Sequence, residues 1–146
     1  MTSADRDMMR AMHRFLIAVV ALALLLLAAC GGGTTVNPTE SLARLRTAID
    51  SPVSTNEQGQ ENSRLVEQSL EENVFDDMMR SEVEEAIGRG DPCSRHPRCA
   101  ENGFEPDDWF YTVGQMGEGS VGALPIMILG FDRTGRVVRS WNLSTH

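Results

Sequence analysis

The chain has 146 residues, a formal net charge of −8 and 41% hydrophobic residues. This length suits one small domain with its own core rather than several domains. An acidic chain is repelled by nucleic acid and by anionic lipid headgroups, so the composition excludes electrostatic capture by either of them.

An apolar run occupies residues 15–29 and follows Arg14, with Arg6 and Arg10 further back. Its fifteen residues are too few for a comfortable membrane span, but they match the hydrophobic region of an export signal. Translation from Met12 instead of Met1 gives the cleaner signal, and both starts stay open. Residues 1–29 are therefore predicted to be a signal peptide.

The run ends in Leu27-Ala28-Ala29-Cys30, which resembles the lipobox of bacterial lipoproteins. Small residues fit the signal peptidase of that class, and a cysteine thiolate is the nucleophile that forms the thioether to lipid. The resemblance implies that Cys30 becomes a lipidated N-terminus, which anchors the protein without spanning the membrane. The resemblance also implies the periplasmic face of the outer membrane, if the source has two membranes, because lipoproteins retained at the inner membrane have Asp where this chain has Gly31. The alternative is an ordinary secretory signal with an incidental cysteine.

The next segments predict a tether and three helices. Residues 30–38 are rich in glycine and end in proline, which is typical of a flexible tether. Residues 39–60 are predicted to form a short helix, capped by Thr39, and a polar linker. A loop is predicted over residues 54–62. Residues 61–146 are predicted to form the main domain. A second helix opens at Ser63, and a third ends at Gly88. The third helix begins either at Asp76 or Asp77, or at a capping box of Ser81 and Glu84.

Beyond Pro106 the sequence predicts three strands over 109–113, 124–131 and 136–142. A glycine-rich loop and a tight turn at 132–135 join them into an antiparallel meander. Alternation places Trp109, Tyr111 and Val113 on one face and Phe110 on the other, and it places Val137, Arg139 and Trp141 on a common face. The expected fold is α+β, with two or three helices packed on one face of a three-stranded sheet.

The segment from Met78 to Trp141, with the pattern M-x-x-x-E-V-x-x-A-I-G…W-F-Y…F-D-x-x-G-R-V-V, resembles the SmpA/OmlA family. These BamE-like lipoproteins belong to the machinery that assembles outer-membrane β-barrels. The resemblance implies a lipid-anchored periplasmic protein whose partners are barrel-assembly subunits. It also implies that the aromatic run Trp109, Phe110 and Tyr111 contributes to partner binding, with the middle aromatic Phe110 as the main contact. The alternative is that Phe110 is buried and that Trp109 and Tyr111 are exposed, because alternation does not decide which face meets the helices.

The loop CSRHPRC offers the most specific side-chain chemistry. Cys93 and Cys99 are predicted to form a disulfide in an oxidising compartment. A metal site with His96 and two free thiols remain the alternatives, although three ligands do not complete a tetrahedral site.

Little else in the sequence supports catalysis, because His96 and the terminal His146 are the histidines left after the signal peptide and Asp107-Asp108 is typical of a solvated turn. The expected function is a non-enzymatic, lipid-anchored protein that binds another envelope protein in barrel assembly or outer-membrane integrity, with the lipid as its only attached group. Two alternatives stay open, namely an inhibitor or recognition module that binds an enzyme, and a metal-dependent enzyme that uses the CSRHPRC loop.

Overall fold

The computed structural model describes residues 37–118 and 122–143. The predicted signal peptide, Cys30 and nearly all of the tether lie outside the described residues. The described residues form four α-helices, a short 3-10 turn at Cys93–Arg95 and two sheets, which establishes the α+β class. The helices are α1 (Pro38–Asp50), α2 (Asn56–Glu71), α3 (Arg80–Ile87) and α4 (Pro97–Glu101).

Helix α1 begins at Pro38, and its cap is Asn37 rather than the predicted Thr39. The Asn37 side chain accepts a hydrogen bond from the Thr39 backbone N–H at 3.1 Å. Pro38 follows at the first helical position, where the missing N–H of proline has no helical partner to lose. The side chain of Leu45 is fully buried against the core.

Helix α2 begins at Asn56, so the predicted loop over 54–62 is wrong. Thr55 and Gln58 form a reciprocal capping box, in which each side chain accepts the other residue's backbone N–H at 3.2 Å. This box satisfies two N–H groups that a helix start leaves without partners. The first turns are polar because they face solvent, and only the later residues Leu65, Val66 and Ser69 are buried.

Helix α3 begins at Arg80, so neither predicted start is correct. Asp77 has a positive φ of 64°, which excludes it from the helix. The Glu82 carboxylate instead accepts the backbone N–H of Met79 at 2.6 Å. The predicted end is confirmed, since Gly88 has φ 87° and donates its N–H to the Glu84 carbonyl at 3.0 Å.

The main sheet is antiparallel and has four strands in the order β2 (Asp91–Pro92), β3 (Trp109–Thr112), β5 (Ile126–Phe131) and β6 (Val137–Leu143). The three predicted strands are consecutive neighbours in it, and β2 adds an edge strand that the sequence analysis did not foresee. A separate pair of parallel strands consists of β1 (Pro52–Val53) and β4 (Gln115–Met116). Strand β4 lies within the predicted glycine-rich loop.

Other segments cover both faces of the main sheet, whereas the prediction was that helices pack on one face. Helices α1, α2 and α3 bury the first face, which includes Trp109, Tyr111, Met127 and Leu129. The second face packs under residues 93–104, which we call the disulfide segment. The buried residues of the disulfide segment are Cys93, Cys99 and Phe104, and the buried sheet residues beneath it are Ile126, Ile128 and Leu143.

A β-bulge changes the side-chain pattern of β6. Phe131 pairs with Val137 and Gly130 pairs with Arg139, so Val138 is an additional residue in the strand. Paired residues share a face, and an extra residue reverses the alternation beyond it. Val137 therefore lies on the helix face while Arg139 and Trp141 lie on the second face. The prediction that all three share a face is wrong for this reason.

Candidate functional site

The predicted partner-binding residues all lie on β3, but the structure distributes them between two environments. Trp109 and Tyr111 are each only 4% exposed and belong to the core under the helices. The Tyr111 hydroxyl donates a hydrogen bond to the Gly88 carbonyl at 2.9 Å, and burial raises the pKa of Tyr111 above its ordinary value. Neither side chain is placed to contact a partner on the surface.

The Trp109 ring is held from two sides. It meets the Phe131 ring edge-to-face, with 5.2 Å between the ring centres. The Arg80 guanidinium lies 5.1 Å from the Trp109 ring centre and 4.3 Å from that of Phe131. Such cation–π contacts stabilise a fixed ring position. Trp109 therefore stabilises the fold around the site and is not part of the exposed surface.

Phe110 lies on the opposite face of β3, as the alternation predicts, but that face is not open. Its ring is half-buried beside the disulfide segment and meets the His96 ring edge-to-face, with 5.0 Å between the ring centres. Across the sheet Phe110 pairs with Ile128, and Ile128 pairs with Trp141. The three side chains therefore form one row on the second face.

The disulfide segment is fixed to the sheet by covalent and hydrogen bonds. The structure joins the sulfur atoms of Cys93 and Cys99, with 5.5 Å between the Cα atoms. The N–H of Cys93 donates to the Asp108 carbonyl at 2.8 Å, and the N–H of Ser94 donates to the Pro106 carbonyl at 2.9 Å. Sulfur atoms bonded to each other are not thiolates, which are the form that binds metal. Within residues 37–118 and 122–143, no cluster of three or more potential metal ligands occurs.

The two adjacent aspartates differ, although the sequence predicts a solvated pair. Asp107 is exposed, and its carboxylate lies 3.7 Å from Arg80. Asp108 is 4% exposed, and its carboxylate accepts the backbone N–H groups of Glu105 at 2.8 Å and Phe131 at 2.9 Å. Charge-assisted bonds of this kind compensate a buried carboxylate. Asp108 therefore ties the strand-entering turn to β5.

The outer part of the second face exposes aromatic surface next to an arginine. Trp141 is 44% exposed. The Arg139 guanidinium lies 5.6 Å from the Trp141 ring centre and 4.2 Å from the Phe104 ring centre. Arg139 also donates to the carbonyl oxygens of Asn102 and Gly103 at 2.8 and 3.4 Å. We call the surface formed by Phe110, His96, Arg139 and Trp141 the aromatic surface. Sequence alternation alone missed Trp141 as a member, because the bulge decides its face.

Among the described residues, two of the cavities lie away from this surface. One of about 450 Å³ lies between α1 and α2, and its lining includes Arg44 and Glu61, whose charged atoms are 3.9 Å apart. The other, of about 260 Å³, lies beside the start of β6. The first has mostly apolar walls and no convergent catalytic groups, so it offers no evident chemistry.

Neither a protein family, nor a curated protein, nor a solved structure matches this chain. In the part of the chain that the structure describes, no helix is long and apolar enough to cross a membrane.

Proposed function

We propose that the protein is a non-enzymatic binding protein, anchored by lipid on Cys30 to the periplasmic face of the outer membrane. Its partner is another envelope protein, and barrel-assembly subunits are the first candidates because of the resemblance to SmpA/OmlA lipoproteins. Its role is then to support barrel assembly or outer-membrane integrity.

The observation that carries this proposal is the sequence Leu27-Ala28-Ala29-Cys30 at the end of the apolar run, directly before a glycine-rich tether. Acyl chains on Cys30 hold the domain at a membrane surface. A disulfide between Cys93 and Cys99 fits an oxidising compartment such as the periplasm. The aromatic surface supports the binding role, because exposed aromatic side chains carry much of the energy in protein interfaces.

Lipidation of Cys30 is tested by replacing this cysteine. Cys30→Ala removes the thiol that forms the thioether, so labelling of the protein with a radioactive or clickable fatty acid should be lost. Cys93→Ala is a matched control, because it removes a cysteine outside the lipobox and should leave the labelling intact. Full labelling of Cys30→Ala would refute lipidation at this position.

The partner is tested by crosslinking intact native membranes and purifying the protein under denaturing conditions. Recovery of barrel-assembly subunits, reduced for Phe110→Ala and unchanged for the exposed control Met116→Ala, is expected. Recovery of a secreted enzyme instead would favour the inhibitor or recognition alternative and contradict the assembly role.

A further inference from the structure

Strand β6 is an edge strand of the main sheet, and no other described strand pairs with its outer edge. The N–H of Val113 donates to the Pro125 carbonyl at 2.8 Å, so Pro125 directs its backbone groups toward β3. Alternate residues of a strand face the same neighbour. Ile128, an odd number of residues further on, therefore faces β6 and bonds there to its register partner Trp141.

The backbone groups of the two neighbours of Trp141 consequently point away from β5. Ser140 and Asn142 therefore direct their N–H and C=O groups to the outer edge of the sheet. Among the described residues, no backbone group of another element bonds to either of them. Within residues 37–118 and 122–143, the one backbone bond to this edge from outside the sheet lies at its start, where the Val137 N–H donates to the Met78 carbonyl at 2.9 Å. A strand edge of this kind is a template for a further strand.

Exposed apolar side chains flank this edge. Trp141 lies on the second face, and Val138 in the bulge is 63% exposed. Strand addition takes its affinity from main-chain bonds and its specificity from alternate side chains of the added segment. An apolar side chain of the added segment, placed opposite Trp141, would supply this specificity.

The start of the edge is acidic. The 260 Å³ cavity there is lined by Asp76, Asp77, Arg136 and the first two residues of β6. Arg136 lies 3.6 Å from the Asp77 carboxylate. In the described part of the chain no such ion pair is formed by Asp76, whose side chain is exposed. The net charge of −8 acts in the same direction, so the charge at this end of the edge complements a basic side chain.

We infer that the outer edge of β6 binds an extended segment of a partner protein as an added antiparallel strand. The segment places an apolar or aromatic side chain against Trp141. Its C-terminal end, which an antiparallel arrangement brings next to Val138, carries a lysine or arginine that enters the cavity of Asp76 and Asp77. A second copy of this chain is a poorer occupant, because two chains of charge −8 repel each other. This inference deepens the proposed binding function and rests on it.

The test uses the purified full chain in detergent and a dye-labelled peptide of about ten residues, the usual length range of a strand. The peptide alternates threonine and valine, with one tryptophan at its centre and one arginine near its C-terminus. Fluorescence polarisation measures binding, and hydrogen exchange measured by mass spectrometry locates it. Protection of residues 138–143 on binding is expected.

Two variants separate main-chain pairing from side-chain contact. Ser140→Pro removes an N–H that points outward and leaves the bonds to β5 in place, so peptide affinity should fall about tenfold or more. Ser140→Ala keeps that N–H and should bind as the wild type does. A peptide methylated on alternate backbone nitrogens makes the same test without changing the protein, which covers the case that Ser140→Pro fails to fold.

The charge requirement is tested by a peptide with glutamate in place of arginine, which should bind about threefold to tenfold more weakly. Asp76→Asn should remove most of that difference. Equal binding by the methylated and unmethylated peptides, or no binding by any peptide, would overturn the inference. Concentration-dependent self-association that Ser140→Pro abolishes would also overturn it, in favour of a second copy as occupant. None of these results depends on Cys30 or on recovery of barrel-assembly subunits, so the proposed function can fail separately.

Discussion

Gly90 is a position where even the smallest substitution, to alanine, should destabilise the fold. It lies between α3 and β2, and its φ is not in the left-handed region, so the constraint on it is steric. A Cβ at this position would lie 2.7 Å from the Trp109 Cβ and 2.9 Å from the Tyr111 Cζ. Non-bonded carbon atoms are optimally about 3.5–4.0 Å apart. An alanine methyl group therefore overlaps both side chains.

Neither neighbour can give way cheaply. Trp109 and Tyr111 are buried and lie on β3, whose backbone pairs with Leu129 and Met127 of β5. Relief of the overlap requires β3 to shift or the segment before β2 to move outward. Overpacking of this kind costs about 1–3 kcal/mol, and we expect the free energy of unfolding of Gly90→Ala to fall by that amount.

Gly59→Ala is the matched control, because it makes the same substitution in a different environment. The new Cβ on α2 would meet only Val53 Cγ1, at 3.9 Å, which is an ordinary contact. Alanine within a helix is more stable than glycine by about 0.5–1 kcal/mol. Urea unfolding with the disulfide intact should show opposite shifts for the two variants. A Gly90→Ala variant as stable as the wild type would refute the packing argument.

Two further predictions concern β3. Tyr111→Phe should lower the free energy of unfolding by about 1 kcal/mol, because the Gly88 carbonyl loses its donor. The difference should shrink above about pH 10, since the folded state raises the pKa of Tyr111 and the unfolded tyrosine ionises first; a constant difference across that range would contradict this. Trp109→Ala should cost about 3–5 kcal/mol and the half-buried Phe110→Ala about half as much, as measured by urea unfolding. Equal losses would contradict the assignment of the two rings to different environments.

The elements that sequence reasoning identified are those with strong local patterns. The run of strand-forming residues at 109–113 and the apolar run before Asp132 became β3 and β5 because period and residue type agree there. The start of α2 was missed although Thr55 and Gln58 spell a capping box. No apolar residue follows them closely, and a helix start without an apolar stripe resembles a polar loop.

The missed features of the site depend on contacts between distant parts of the chain. Strand β2 has two residues, one of them proline, and it becomes a strand only by pairing with β3. The alternation at β3 placed Phe110 correctly on the second face, but nothing local shows that the disulfide segment covers that face. The buried role of Asp108 likewise depends on Phe131, whose N–H it accepts. Such contacts leave no periodic signal in a single sequence.

The bulge at Val138 gives the sharpest test of the register of β6. Val137 bonds outward to Met78, and Arg139 pairs inward with Gly130, so deletion of Val138 joins two residues that already alternate correctly. We expect this variant to fold with a free energy of unfolding within about 1 kcal/mol of the wild type. Deletion of Ser140 instead reverses every side chain after it. Leu143 then leaves the core, which costs about 2–5 kcal/mol. Thermal unfolding followed by circular dichroism should rank the two deletions in this order, and the reverse order would show that β6 pairs in another register.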